Sequence, residues 1–440
     1  MNILYVSQYF PPEIGAPAVR VHELAREWVR VGHAVTVLTG FPNHPTGEVP
    51  PEYRRNLWRG VFRETIDGID VVRTWLVPLP NRKNWERFLN YGSFCLSASL
   101  TGQFLKRPDV VIATSPQLLC GLAGSMIVGR GTPFVFEVRD LWPESLISLG
   151  KSSRQSRLYR TLDGIADRLY TKAAKIVAVS EAIARYIVEK KGISQAKVAV
   201  IENGVDEGMF RPAAPDPEWR SRLARNGEIV FSYIGTHGNA VHLWTVLEAA
   251  KKLQSLVPQA RFALVGEGAE RKELEQAAKR ERLENVEFYG EQPRSEVPKI
   301  VNASDVCMVL LRKDDVFKTV IPSKMLEFMA CGRPVLLGVD GQARQILDAA
   351  NAGMFVEPQN PDALADAVQQ MIARRSEWGA WGERGAAYIR ANFSRKRKAH
   401  EYLEILRGLV ESDKTEGSGQ RSEPQSLRAT EAKNHGVEEP

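Results

Sequence analysis

What most constrains this chain is an alternation that occurs twice. Short apolar runs at 3–6, 34–38, 70–75, 110–113, 134–138, 176–179 and 198–201 read as strands, and the stretches between them are long enough for helices. The opening shows the logic. After the first run, a loop holding two prolines and Gly15 leads to Val21, Leu24, Ala25, Trp28 and Val31 at helical spacing. Gly32 then stops the helix, and the next strand begins. Such βαβ units give parallel pairing, because the crossover helix returns the chain to the same end of the sheet. Near Asp206 the pattern breaks into DEGMFRPAAPDPEWR, rich in Pro and Ala, which reads as a linker. A second series follows, with strands at 229–234, 262–265, 286–289, 306–310, 335–337 and 353–356 and helices at 243–256, 271–280 and 363–371. The expectation is an α/β chain of two doubly wound, Rossmann-like domains, 1–207 and 208–384. Strand carboxyl ends of both should face a cleft between them, where open α/β sheets bind ligands. Residues 386–410 read as helical, and 412–440, almost without large apolar side chains, are expected to be disordered.

The segment TVIPSKMLEFMACGRPVL carries the densest chemistry. Ser323 stands where a helix should start, Met325, Leu326, Phe328 and Met329 form its apolar face, and Gly332 and Pro334 end it. A strand, loop and helix in this order point unpaired N–H groups and the positive helix end at the space above the sheet, a setting for phosphate. Lys324 and Glu327 would face that space together, one to hold an anion and the other to accept from hydroxyls. Glu327 lies one residue too far from Ser323 for an S-x-x-E capping box. In YIGTHGNAVHL, Gly235 and Gly238 would let backbone approach a phosphate, with Thr236 and His237 beside it. LVGEGAE repeats the arrangement at Gly266 and Gly268, and FYGEQPR at Gly290. In FEVRDLWPESL, Arg139 and Asp140 follow an apolar strand, where doubly wound domains place functional groups. Taken singly, each feature is equally open to a plainer reading as a tight turn, a surface Lys/Glu pair or a structural Arg/Asp pair.

Composition narrows the class. Hydrophobic content of 43% with 25% charged residues is that of a globular chain. Cys95, Cys120, Cys307 and Cys331 are far apart, which suits reduced thiols in a cytoplasmic protein and no metal site. The amino terminus reads as a first strand rather than a signal, and the uncharged runs 88–105 and 110–129 are too polar or Pro-interrupted to span a membrane. Residues 1–205 hold 26 Lys+Arg against 18 Asp+Glu, an excess of 8 positive charges. Without zinc spacing or a nucleic-acid motif, nucleic acid is not an expected partner. RRNLWRG and NRKNWERF mix basic and aromatic residues, which suits either peripheral contact with an anionic membrane or a solvated surface beside core tryptophans.

YFPPEIGAPAVRVHELAREWVRVGHAVTVLT, RDLWPES, AVSEAI, IENGVD, LVGEGAER, VEFYGEQPRSEVPKIVNASDV and PSKMLEFMACGRPVL occur in this order. Together they resemble family 4 glycosyltransferases of the GT-B fold, especially the bacterial branch that builds O-antigen, capsule or exopolysaccharide, including N-acetyl-L-fucosamine transferases. The resemblance implies a retaining transferase without cofactor or required metal, taking a nucleotide-sugar donor, chiefly a UDP-sugar, in the second domain. It implies a polyprenyl-diphosphate-linked or oligosaccharide acceptor in the first domain, and a final helix, 385–411, crossing back to it. It makes Glu327 the ribose ligand, places Ser323 and Lys324 beside the diphosphate and sugar, Gly290 in the base-binding loop, and Gly15 near the acceptor and donor phosphate. Catalytic roles are expected for Lys324, Asp140 and Arg139. Three departures stand out: Thr319 where many members have a glutamate, neutral residues and His237 and His242 where a basic pair is common, and Arg139 in place of a histidine. A nucleotide-sugar 2-epimerase and a non-catalytic sugar-nucleotide-binding subunit of an assembly complex are the competing readings.

Overall fold

The computed structural model describes residues 1–419, apart from 14, 82, 116, 130, 149–152 and 226. The chain forms two sheets. The first runs through β1 (Asn2–Val6), β2 (Ala34–Gly40), β3 (Val61–Ile66), β4 (Ile69–Thr74), β5 (Val110–Thr114), β6 (Phe134–Val138), β7 (Lys175–Ala178) and β8 (Val198–Val200). Their spatial order is β3-β4-β2-β1-β5-β6-β7-β8. Every pair is parallel except the β3–β4 hairpin. The second sheet holds β9 (Ile229–Ile234), β10 (Ala260–Val265), β11 (Val286–Tyr289), β12 (Val306–Leu310), β13 (Val335–Gly338) and β14 (Gly353–Phe355), all parallel, in the order β11-β10-β9-β12-β13-β14.

Both faces of each sheet are covered, which is why the strands read as continuous apolar runs. Leu4 and Val6 pack into the core on one face of the first sheet, and Ile3 and Tyr5 into that on the other. In β9, Val230 and Ile234 face one core while Ile229, Phe231 and Tyr233 face the second. Strand order reverses at β1, which lies between β2 and β5, and at β9, between β10 and β12. Loops leaving these switch points open a crevice at the carboxyl edge, so both edges can supply a binding site.

The structure departs from the sequence-based expectation in four places. Strand β3 was not anticipated: its alternate exposure lacks the continuous apolar signature, although Asp67-Gly68, both at positive φ, form a hairpin turn signal. The expected linker contains the helix Pro217–Leu223, capped by Asp216, whose carboxylate accepts from the Trp219 N–H at 3.0 Å. Trp219 is buried, and its indole N–H reaches Glu296. The expected helix 386–410 is two helices, Trp378–Asn392 and Arg395–Gly419. The chain bends between them because the carbonyl of Phe393 accepts from Val205 N–H at 2.8 Å and Arg395 N–H donates to the Val205 carbonyl at 3.0 Å. Finally, the last helix continues to Gly419, past Ser412 where order was expected to end; residues 420–440 lie outside the described residues.

That last helix lies on the first lobe. Ala399, Tyr402, Leu403, Leu406 and Val410, at helical spacing, join the core lined by Val21, Leu24 and Trp28. The Trp28 indole donates to the Ala399 carbonyl at 3.0 Å, and its ring meets Tyr402 edge-on at 5.4 Å. Both aromatic side chains are fully buried. Tyr402→Ala is therefore expected to lower unfolding free energy by about 3–5 kcal/mol, as for other buried aromatic truncations. Urea denaturation checks this, and a loss below about 1 kcal/mol would show that the helix is not part of the cooperative unit.

Candidate functional site

A cavity of about 590 Å³ lies between the lobes at the carboxyl edges of both sheets. Its second-lobe wall starts at β9. After Ile234 the backbone turns through Gly235 at φ +150°, and after Val265 through Gly266 at φ +138°. A Cβ on Gly235 would stand 2.3 Å from the Lys324 ammonium, and one on Gly266 would stand 2.0 Å from the Gly235 carbonyl. Glycine is thus required by φ at both, and at Gly266 also by close approach of backbone. The helix Ser323–Ala330 points its amino end at the same space; Met325, Leu326, Phe328 and Met329 anchor it in the core.

Ser323, Lys324 and Glu327 all line the cavity. The Lys324 ammonium donates to the Tyr233 hydroxyl at 2.9 Å and lies 4.2 Å from that ring's centre. The Tyr233 hydroxyl in turn donates to the Thr236 carbonyl at 2.9 Å, which fixes both groups. Glu327 is only 6% exposed, and Arg294 grips its carboxylate with two N–H groups, at 2.6 and 3.2 Å. The carboxylate oxygens keep further lone pairs that a hydroxyl donor can use.

The first-lobe wall is built mainly from long side chains. Arg20 reaches the Glu137 carboxylate at 3.2 Å and donates to the Ile201 carbonyl at 2.9 Å. Glu137 is buried, yet its carboxyl is held below the usual range: burial raises it, and Arg20 and Arg139 more than offset that. Arg139 lines the cavity from the end of β6, and its backbone N–H donates to the Ser115 hydroxyl at 2.8 Å. His44 also lines the cavity, its ring 5.2 Å from that of Tyr9. Glu13 accepts from the backbone N–H groups of Asn43 and His44 at 3.0 and 2.9 Å, and burial pushes its carboxyl up to about 7. Arg395 and Lys398 come from the returning helix, so the carboxyl-terminal element is also part of the wall.

Of the residues expected from the sequence, Gly15, Arg139, Gly235, Thr236, Gly266, Ser323, Lys324 and Glu327 meet at this cavity. His237, Gly238, Gly290 and Asp140 do not line it. His237 is fully buried among Tyr233 and Phe288, with both ring nitrogens unpartnered; burial, then Arg271 and Lys324, lower its pKa to about 4. Its role is therefore a neutral ring beneath the loop. Gly290 gives way to its neighbours Glu291 and Gln292 at the wall. Asp140 lies just beyond Arg139, where burial raises its carboxyl to about 6. Thr319 turns away: its hydroxyl bonds the Val316 carbonyl, and its own carbonyl accepts from Ser180 of the first lobe at 2.7 Å. Sequence reasoning missed Arg20, His44, Arg294, Arg395 and Lys398. Among these, only the R-S-E-V segment after FYGEQP hinted at Arg294, through its place one loop beyond a strand end.

Among the described residues, no group of three or more His, Cys, Asp or Glu is placed to hold a metal ion, and no helix is long and apolar enough to cross a membrane. The four cysteines are free and buried.

Residues 15–204 match the family described as Glycosyl transferase 4-like domain, and residues 216–387 match Glycosyl transferases group 1. Similar curated proteins include the probable glycosyltransferase WbjE of Pseudomonas aeruginosa, 25% identical over 76% of this chain and 84% of the relative. The putative colanic acid biosynthesis glycosyl transferase WcaI of Escherichia coli is 24% identical over 84% of this chain and 92% of its own length. In fold, the chain is similar to sucrose-phosphate synthase of Thermosynechococcus elongatus, with a TM-score of 0.75, 19% identity, and coverage of 93% of this chain and 99% of that one. It is likewise similar to Anabaena HepE solved with UDP-glucose, with a TM-score of 0.68, 17% identity, and coverage of 93% and 100%.

The buried His237 makes a pH dependence. The folded protein sheds this proton near 4, whereas the unfolded chain holds it up to about 6.5. The unfolded state thus binds more protons across that interval, and stability falls as pH drops through it. His237→Gln is expected to remove this component, so its urea midpoint should decline less than the wild type's between about pH 6.5 and 4.5. Identical pH slopes would show the ring to be solvated.

Proposed function

This chain belongs to the family 4 glycosyltransferases with the GT-B fold, and from that premise we propose that it transfers a sugar from a UDP-sugar to a lipid-linked or growing surface-polysaccharide acceptor, with retention at the anomeric carbon. The observation that carries this reading is the pairing of Lys324 and Glu327 at the start of one helix. Both face a cleft whose adjoining wall is the glycine backbone of Gly235 and Gly266. A nucleoside diphosphate needs both functions at once. Its phosphates seek N–H groups and a cation, and its ribose hydroxyls seek a fixed acceptor. That HepE was solved with UDP-glucose supports uridine as the base.

Departure of the nucleotide builds negative charge on the leaving phosphate, and preorganised donors aimed there are the main catalytic need. Lys324, the helix amino end at Ser323 and the loop from Gly235 supply them without a metal. In the proposed step the acceptor hydroxyl attacks the anomeric carbon on the face the diphosphate leaves. The sugar–phosphate C–O bond breaks as the new C–O bond forms, and the hydroxyl proton passes to the departing phosphate oxygen. Three of the four cavity carboxylates favour this route over a protein base, since Glu327, Glu202 and Glu267 are already paired with Arg294, Lys398 and Arg271; the fourth, Glu291, is exposed.

A membrane-borne acceptor fits the outside of the first lobe. The helix Asn84–Gln103 exposes Trp85, Phe88, Leu96 and Leu100 along one side, continued by Phe104. Met126 adjoins this stripe, since its carbonyl accepts from Gln103 at 2.9 Å. Trp75 adjoins it through a bond from Ser97, and the Trp75 N–H leads on to the Gly60 carbonyl at 2.8 Å, beside Trp58. Exposed Arg54, Arg55 and Arg59 flank one end, Lys106 and Arg107 the other. An apolar stripe between basic clusters suits an anionic bilayer.

The first test is calorimetric titration of UDP, GDP and ADP. UDP should bind best, Glu327→Ala should weaken it about tenfold or more, and Lys324→Ala should cut donor turnover by orders of magnitude with folding intact. Failure of every nucleotide to bind would sink the reading. For the membrane surface, Leu100→Asp and the pair Arg54→Gln with Arg55→Gln should each reduce co-sedimentation with phosphatidylglycerol vesicles by roughly fivefold or more, leaving UDP binding unchanged. Unaltered sedimentation would remove the bilayer from that face.

A further inference from the structure

The cations lining the cleft are Arg20, Arg139, Arg294, Lys324, Arg395 and Lys398. Among these, Arg20 is paired with Glu137 at 3.2 Å, Arg294 with Glu327 at 2.6 Å, Lys398 with Glu202 at 2.9 Å, and Arg395 with Glu23. Two remain without a carboxylate partner among the described residues. One is Lys324, held on the Tyr233 hydroxyl and assigned above to the donor diphosphate. The other is Arg139, on the opposite lobe.

No nitrogen of the Arg139 guanidinium meets an acceptor among the described residues, and its Nε and Nη1 are buried. The nearby Glu137 carboxylate already accepts from Arg20, from the Tyr5 hydroxyl at 2.9 Å and from the Thr114 hydroxyl at 3.0 Å. The adjacent Asp140 does not lie within ion-pairing distance of it. Buried N–H groups of a charged side chain are costly to leave without acceptors. A guanidinium also presents a planar fork that fits a carboxylate or phosphate with two parallel bonds, which an ammonium cannot do. It lines the substrate cleft, and Glu291, the remaining cleft carboxylate without an ion pair among the described residues, is exposed on the other lobe.

We propose that Arg139 is the receptor for a second anionic group, a carboxylate or phosphate, carried by the donor sugar or by the acceptor. The natural substrate pair is then acidic at a point beyond the nucleotide diphosphate. This rests on the reading of the cleft as a nucleotide-sugar site, and it separates the work of the two lobes: Lys324 answers the charge that every donor carries, while Arg139 selects among substrates.

The test is calorimetric titration of wild type, Arg139→Gln and Arg139→Lys with UDP, UDP-glucose and UDP-glucuronate, and of the UDP-loaded proteins with farnesyl diphosphate. UDP should bind all three proteins alike. If the donor carries the anion, wild type should prefer UDP-glucuronate to UDP-glucose by about tenfold or more. If the acceptor carries it, the UDP-loaded protein should bind farnesyl diphosphate. In either case Arg139→Gln should lose about tenfold and Arg139→Lys should recover part of it. Indifference of the wild type to both acidic ligands, or their equal binding by Arg139→Gln, would overturn the proposal. So would an Arg139→Gln loss of the same size for UDP itself, since Arg139 would then serve the nucleotide diphosphate. Absence of UDP binding in the wild type would instead overturn the nucleotide reading, and this assignment with it.

Discussion

The cleft exists because two main-chain hydrogen bonds hold the chain's two crossings between lobes side by side. Val205, leaving the first lobe, donates to the Phe393 carbonyl and accepts from Arg395, just as the chain returns. There is no room to separate them: a Cβ on Gly204 would stand 2.6 Å from the Arg395 Cα. Parallel sheets send all their functional loops to one edge, so a lobe alone has an open edge and no enclosed site. Joining two such edges around one laced crossing gives an enclosed space. The same bend breaks the helix that would otherwise run from Trp378 to the carboxyl end, and it delivers Arg395 and Lys398 to the cavity.

Charge in the cleft follows from this arrangement. The returning helix brings two cations close to Arg20, and each would be costly to bury alone. Glu23, Glu202 and Glu137 match them one to one. Even so, burial and the nearby Arg20 lower Arg395 to about 9. The pairs neutralise the hinge side of the cavity, so the field reaching a bound ligand comes mainly from the cations that remain unmatched. In low-dielectric surroundings a single unmatched charge dominates its neighbourhood.

How much of this is legible in the sequence depends on the kind of information each feature carries. Strands buried on both faces announce themselves as apolar runs, so thirteen of the fourteen among the described residues were readable; β3, exposed on alternate residues, was not. Backbone features of the site were legible too, since Gly235 and Gly266 directly follow strand ends and Ser323 opens a helix after Pro322. Side-chain direction was not. His237 and Gly235 share one loop, yet the ring turns down between Tyr233 and Phe288 while the backbone faces the cleft. Arg20 and Arg395 are farther apart in sequence than any motif spans, and only the docking of the last helix makes them neighbours. The bend at Phe393–Ser394 was hidden for the same reason. Asn392, Phe393 and Ser394 are weak helix formers, but the hydrogen bonds to Val205 that fix the bend come from far away in the sequence.

The two walls of the cavity differ in what they are made of, and that difference decides how tightly the fold fixes each. The second-lobe wall combines glycine turns and a helix amino end with the side chains of Lys324, Glu327 and Arg294. Its conformation depends on φ angles and close approaches that few substitutions tolerate. The first-lobe wall consists of long side chains from separate elements, Arg20, His44, Arg139, Arg395 and Lys398, and of these Arg20 is tied to the sheet through the buried Glu137 of β6. The glycine turns are thus the part of the cavity that the fold fixes most tightly, while the side chains opposite are held by their ion-pair partners.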